Sequence, residues 1–284
     1  MKKILVLLIF ILVCYAGSTT GVKEAGVQSE ITQPSDDKIQ QDIATQADRV
    51  VIALLDTGVA KAAITSDHLL SGYNYVTNSD ETEDMMNHGT AVASVILGCE
   101  SAGVKAAAQD AYIVPLVVVT KQDGEAVSVS PEILAKAVRD SVDIYGADII
   151  NISLGIEKDE PSLFQAIVYA EEKGVLVVSA VGNGGAKGNP YYPAAYDTVL
   201  AVGSCDENGQ ESEFSQSGSD VLAMGEDIWL ASKNGKTYGA RGTSYATGFV
   251  SAVAADFLIK EPDLSLQELR EKIIEKAAAF NGCK

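Results

Sequence analysis

Four short segments hold the residue types that acyl transfer requires, and each sits where a rigid element would meet a loop. Asp56 opens Asp56-Thr57-Gly58 directly after the apolar run 50–55, so a strand end would hold the carboxylate while glycine turns the chain away. His88, one of two histidines in the chain, stands in Asn87-His88-Gly89-Thr90 at the head of an apolar helical stretch. Ser244, in Gly242-Thr243-Ser244-Tyr245-Ala246, begins a small-residue helical segment, where backbone N–H groups and the helix dipole favour a developing oxyanion. Asn183, in Val181-Gly182-Asn183-Gly184-Gly185, follows a buried-strand pattern and offers a side-chain amide as a second oxyanion donor. A serine becomes nucleophilic when a histidine takes its proton, and a carboxylate fixes the tautomer that does so. Each segment alone has a plainer reading: a capping aspartate, an N-cap serine, an Asn-Gly turn. Together they form a complete set.

The elements that must position these groups alternate along the chain. Apolar runs of strand length occupy 50–55, 112–119, 148–153, 175–181 and 198–202. Helical spacing occupies 88–98, 131–145, 162–173, 244–259 and 265–279, with Gly174 as a stop and Asp263 and Ser265 as capping candidates. Short apolar strands interleaved with amphipathic helices predict a three-layer α/β/α fold around a mainly parallel central sheet. Sites in such sheets collect beyond the carboxyl ends of the strands. The glycine-marked stretch 235–242 is expected to be a loop. His68, in Ser66-Asp67-His68, is expected at the surface, and two dissimilar histidines are too few for a zinc hydrolase, so no metal site is assigned.

In chain order, Asp-Thr-Gly, His-Gly-Thr and Gly-Thr-Ser-Tyr-Ala resemble the motifs of the subtilisin-like serine peptidases, the subtilases. The likeness runs from about residue 40 to the C-terminus and includes Phe214-Ser215 and Ala223-Met224-Gly225 ahead of the serine. It implies that Ser244 is the nucleophile, His88 the general base and then acid, Asp56 the orienting carboxylate and Asn183 the oxyanion donor. It also implies that Ser153, Leu154 and Gly155, at the end of Asn151-Ile152-Ser153-Leu154-Gly155, hold an extended peptide by strand addition. The implied activity is endopeptidase hydrolysis of a peptide or protein through an acyl-enzyme, with dedicated peptide processing among the roles it fits. A catalytically silent peptide-binding domain of the same fold is the alternative. Gly248 stands where the family commonly has proline, Asn87 where it has glycine, and Ala91 where a second histidine is frequent. The segment 98–108 is shorter than the loop that binds a structural calcium in many relatives, which counts against that calcium, and no cofactor is required.

Residues 1–16 have the pattern of an export signal: Lys2 and Lys3, an apolar run from 4 to 13, then Cys14-Tyr15-Ala16 before Gly17. Cleavage after Ala16 would give a secreted protein. Lipidation of Cys14 and a retained tail are the rival readings, and Val13 is larger than a lipoprotein signal prefers before its cysteine. The run is about half the ~20 apolar residues that a spanning helix needs, so no membrane span is expected. Residues 17–48 are polar and lack aromatics, as a linker arm or short propeptide would, and 49–284 form the peptidase domain.

The net charge of −18 becomes more negative when Lys2 and Lys3 leave, since no acid leaves with them. That excludes a binder of nucleic-acid backbone. Asp80, Glu81, Glu83 and Asp84 form an acidic loop before His88, read either as solvated or as facing basic residues of a substrate. Cys99, Cys205 and Cys283 remain after signal removal, an odd number without metal-site spacing, and Cys99 continues the stripe Val92, Val95, Ile96 as a buried small hydrophobe. Nothing in the pattern calls for an oligomer, and a monomer is expected.

Overall fold

The computed structural model describes residues 9–10, 23–24, 49–64 and 67–280. Seven strands form the central sheet: β1 (Val51–Asp56), β2 (Tyr73–Asn74), β3 (Tyr112–Val117), β4 (Ile149–Ile152), β5 (Leu176–Ala180), β6 (Leu200–Cys205) and β7 (Val221–Met224). Their order across the sheet is β7-β6-β5-β4-β1-β3-β2, and every neighbouring pair is parallel. Five helices cover it: α1 (Gly89–Leu97), α2 (Pro131–Asp143), α3 (Pro161–Glu172), α4 (Thr243–Lys260) and α5 (Leu266–Phe280).

The unbroken apolar run of β1 follows from burial on both faces. Val51, Ala53 and Leu55 enter one core with Leu134 and Val138 of α2 and Leu163 and Ile167 of α3. Val50, Ile52 and Leu54 enter the other with Val92 and Ile96 of α1, Val250 of α4 and Ile273 of α5. Strand residues point alternately to opposite faces, so a strand between two helical layers must be apolar throughout. The three-layer α/β/α fold with a parallel sheet is therefore the one the alternating pattern predicts.

Helix ends carry their own local causes. Ser130 caps α2, accepting from Ile133 N, with Pro131 at the first helical position. Ser265 and Glu268 form a reciprocal capping box ahead of α5: Ser265 N donates to Glu268 Oε2 at 2.9 Å, and Glu268 N donates to Ser265 Oγ at 3.3 Å. Gly174, at φ +79°, ends the turn after α3.

Three features depart from the sequence expectations. The stretch 235–242 is not simply a loop: Thr237–Ala240 pairs antiparallel with Ile228–Ala231 as a hairpin. The apolar run beginning at Tyr112 breaks after Val117, and Val119–Gln122 turns back through Asp123-Gly124 to pair with Glu125–Ser128. His68 is half-buried, its ring stacked on Tyr112 at 4.3 Å, with Nδ1 3.0 Å from Ala111 O. Two short N-terminal pairs complete the topology. Ile9–Phe10 runs antiparallel to Gly155–Ile156, and Lys23–Glu24 lies parallel to Glu125–Ser128. The remaining residues of 1–48, and Cys283, lie outside the described residues.

Candidate active site

Asp56 is the last residue of β1, and His88 is the residue from which α1 starts. Both are buried, and His88 Nδ1 lies 2.7 Å from Asp56 Oδ1. The same carboxylate oxygen accepts Thr57 N at 2.7 Å, while Oδ2 is buried with no partner among the described residues. The helix must start close against the strand end for this pair to form. A methyl group on Gly89 would stand 2.2 Å from Gly58 O and 3.1 Å from Asp56 Oδ1, so only glycine fits after His88.

Asp84 builds the seat under this pair. Its Oδ1 accepts Thr57 Oγ1 at 2.9 Å, Met86 N at 2.8 Å and Asn87 N at 2.8 Å. Its Oδ2 accepts Thr90 N at 2.9 Å and Thr90 Oγ1 at 2.6 Å. Gly89 N donates to Thr57 Oγ1 at 2.9 Å, so two orphan N–H groups of the first turn of α1 are satisfied from outside the helix. Of the acidic loop, only this member is sequestered: Asp84 is 1% exposed, whereas Asp80, Glu81 and Glu83 face solvent. The reading of Asp84 as solvated or substrate-facing is thus corrected. Its spacing ahead of a helix start was the available signal, since an aspartate there can cap.

Burial is the largest influence on the His88 pKa and lowers it, but the charge and hydrogen bond of Asp56 and the charge of Asp84 outweigh it. The net direction is upward from the ordinary imidazole value.

Ser244 lies in the first turn of α4, behind Gly242 and Thr243, and is buried. Its hydroxyl donates to Ser153 O at 3.1 Å rather than to His88. The two halves of the site meet through the next residue, Tyr245, whose ring centroid lies 5.7 Å from that of His88. Asn183 follows β5 by three residues, and its Oδ1 accepts Thr243 N and Thr243 Oγ1, both at 2.9 Å. That fixes the amide so that its nitrogen lies on the side of Gly242, next to the start of α4. Ser153, Leu154, Gly155, Asn183 and Ser244 all line one small hollow. The structure thus joins Asp56 to His88, and gathers the serine, the amide and the segment 153–155 around a common space. Thr243, quoted only as part of the serine motif, also lines it, as does Tyr191, which had no distinguishing sequence signal.

Buried carboxylate, histidine and serine at the carboxyl edge of one parallel sheet can support proton relay and acyl transfer. Comparison with known proteins agrees with this chemistry. The family model "Subtilase family" matches residues 47–284. Subtilisin DY of Bacillus licheniformis is 30% identical over 80% of this chain and 83% of its own length. M-protease of Shouchella clausii (strain KSM-K16) is 34% identical over 82% of this chain, which spans 60% of that longer protein. Among solved structures, the prenylagaramide maturation protease PagA superposes with a TM-score of 0.66 at 29% identity, covering 83% of this chain and 86% of that one. No helix among the described residues is long and apolar enough to cross a membrane. The chain belongs to the subtilase family and is a subtilisin-like serine endopeptidase.

Proposed function

We propose that this endopeptidase works through Asp56, His88 and Ser244, with Asn183 as oxyanion donor, and that it is exported to process a peptide or protein substrate. The observation that carries the catalytic assignment is the 2.7 Å contact between His88 Nδ1 and Asp56 Oδ1, buried beside the start of α4. With Nδ1 engaged by the carboxylate, Nε2 is the nitrogen left to take the Ser244 proton. For that transfer the Ser244 hydroxyl must leave Ser153 O, to which it donates at 3.1 Å, and turn to the base. Attack on the substrate carbonyl forms a tetrahedral oxyanion, which the Asn183 amide and the N-terminal N–H groups of α4 stabilise. His88 then gives its proton to the leaving amine, and water repeats the sequence to release the acyl group from Ser244. Ser153, Leu154 and Gly155 hold the substrate backbone as an added strand.

Lys2 and Lys3 with the apolar run 4–13 support export. The resemblance to a maturation protease supports a dedicated processing role. A fluorophosphonate probe tests the assignment: one label per molecule is expected at Ser244, lost in Ser244→Ala. Labelling that survives the substitution places the nucleophile elsewhere, and a wild-type protein that takes no label is the catalytically silent form of the fold.

A further inference from the structure

Asn87 stands immediately before His88 with its backbone at φ +72°, in the left-handed region. Glycine adopts that conformation freely, and asparagine tolerates it better than most residues. Glycine would keep the turn but bring no side chain to it. Asparagine puts its side chain to use: Oδ1 accepts Lys233 N at 2.5 Å, from a residue 146 positions away.

Lys233 lies at the tip of the hairpin of Ile228–Ala231 and Thr237–Ala240. The tip is closed by Ser232 N on Lys236 O and Gly235 N on Ser232 O, both at 2.8 Å. Two longer contacts join the same loop to the hairpin. Lys233 Nζ donates to Met85 O at 3.3 Å, and Tyr238 OH donates to Asn87 O at 3.4 Å. Ala231 N, donating to Ser94 Oγ at 3.1 Å, seats the hairpin against α1.

The other end of the hairpin leads to the serine. Only Arg241, Gly242 and Thr243 separate Ala240 from Ser244. Gly242 N donates to Gly225 O at 2.7 Å and Thr243 N to Asn183 Oδ1 at 2.9 Å, so this short link is itself anchored. The hairpin therefore spans from the residue before His88 to the segment before Ser244. His88 and Ser244 share no hydrogen bond among the described residues, the serine hydroxyl donating to Ser153 O. Their separation is set by the backbone that carries them.

We propose that Asn87 is a positioning residue, whose clasp on the hairpin tip sets where His88 Nε2 stands relative to Ser244. This rests on His88 being the base and Ser244 the nucleophile. With the clasp gone, Asp84 still holds Met86 N and Asn87 N. The backbone rotation at residue 87 that swings the imidazole is then no longer tied to the serine side. A misplacement of about 1 Å between reacting groups costs about 100-fold in rate.

The test is Asn87→Gly, which keeps the left-handed turn and removes the clasp. It is expected to lower kcat about 10–100-fold with KM nearly unchanged. The acidic limb of kcat/KM should stay in place, because Asp56 and Asp84, the charges acting on His88, are untouched. Asn87→Asp tolerates the turn and restores an acceptor for Lys233 N, so it should recover most of kcat on the high-pH plateau. Its added charge should move the limb upward. A purely structural role would lower the melting temperature of Asn87→Gly and leave its kcat at the wild-type value, which overturns the proposal. So does a loss of kcat that Asn87→Asp fails to restore, or a limb that moves in Asn87→Gly. Fluorophosphonate labelling separates the two readings. Wild-type label at Ser244 with an unchanged labelling rate in Asn87→Gly sinks only the clasp, and a wild-type protein that takes no label sinks the nucleophile and this inference with it.

Discussion

Ser153 and Ser244 hold one another: the Ser244 hydroxyl donates to the Ser153 carbonyl at 3.1 Å, and the Ser153 hydroxyl donates to the Ser244 carbonyl at 3.1 Å. The pair ties the start of α4 to the segment proposed to hold substrate. A buried chain continues behind it, with Asn151 Nδ2 donating to Ser153 Oγ at 3.0 Å and Ser251 Oγ donating to Asn151 Oδ1 at 2.9 Å. Ser153→Ala would leave the Asn151 amide without its acceptor, at about 1–3 kcal/mol for a buried orphan group. The melting temperature should fall by several degrees, at about 2–4 °C per kcal/mol for a domain of this size. An unchanged melting temperature would mean that water replaces the serine at no cost.

The raised pKa of His88 makes activity and stability run in opposite directions with pH. As the proposed base, His88 must be neutral, so the acidic limb of kcat/KM should have its midpoint above the unperturbed value of about 6.5. The folded state binds the His88 proton more tightly than the unfolded chain does. Its contribution to stability is therefore full below about pH 6.5 and is lost as pH rises through the higher folded value. Melting curves across this range, with His88→Ala as reference, check the sign. His68→Ala should leave the kcat/KM limb in place, and a shifted limb in that variant would point to the other histidine.

If Asn183 is the proposed oxyanion donor, Asn183→Ala should lower kcat far more than it weakens substrate binding, because an oxyanion exists only during reaction. Removing an oxyanion-hole asparagine from subtilisin lowers kcat about 10²–10³-fold, and a loss of that order is expected here. A change confined to KM would remove Asn183 from the oxyanion site.

Chelation should leave the protein unaffected. In 98–108 the only carboxylate is the exposed Glu100, and the turn closes on itself through paired Cys99–Val104 bonds of 2.8 and 3.0 Å. Calcium takes six to eight oxygen ligands, and this donor set does not supply them. Equal activity and equal melting temperature with and without EDTA are expected, and a fall in either would locate a cation site that this segment does not explain.

The parallel sheet was legible because burial on both faces forces apolar runs such as 51–55 and 176–178. Asp56 and His88 were legible because the glycines beside them mark close approach of two elements. What stayed hidden depends on contacts between distant segments. The hairpin strand Thr237–Ala240 alternates exposed and half-buried residues, and its glycine suggested a loop. Asn87, noted as a departure from glycine, sits at φ +72°, a left-handed position that asparagine tolerates, and its Oδ1 accepts Lys233 N at 2.5 Å. Gly248, noted as a departure from proline, lies where α4 meets α1: a methyl group there would stand 2.9 Å from Val92 Cγ1. Tyr191 gave no signal because the two glycines between which it packs lie 36 and 9 residues away.

Asp84 offers the sharpest separation of positioning from chemistry. It touches neither substrate nor reacting atoms, yet it accepts five hydrogen bonds that fix the loop before His88, and its charge contributes to the raised His88 pKa. Asparagine in its place keeps the shape but turns an acceptor oxygen into a donor facing donors, and it removes the charge. Hydrogen bonds to a charged group contribute about 1.5–3 kcal/mol each, so Asp84→Asn should lower the melting temperature markedly. A structural role alone would stop there. The electrostatic role adds a second consequence: the acidic limb of kcat/KM should move to lower pH, because one of the charges favouring protonated His88 is gone. Asp84→Glu, which restores charge but not fit, should recover part of the pH shift and little of the stability. A limb that stays in place in the folded Asp84→Asn protein would confine Asp84 to holding the loop.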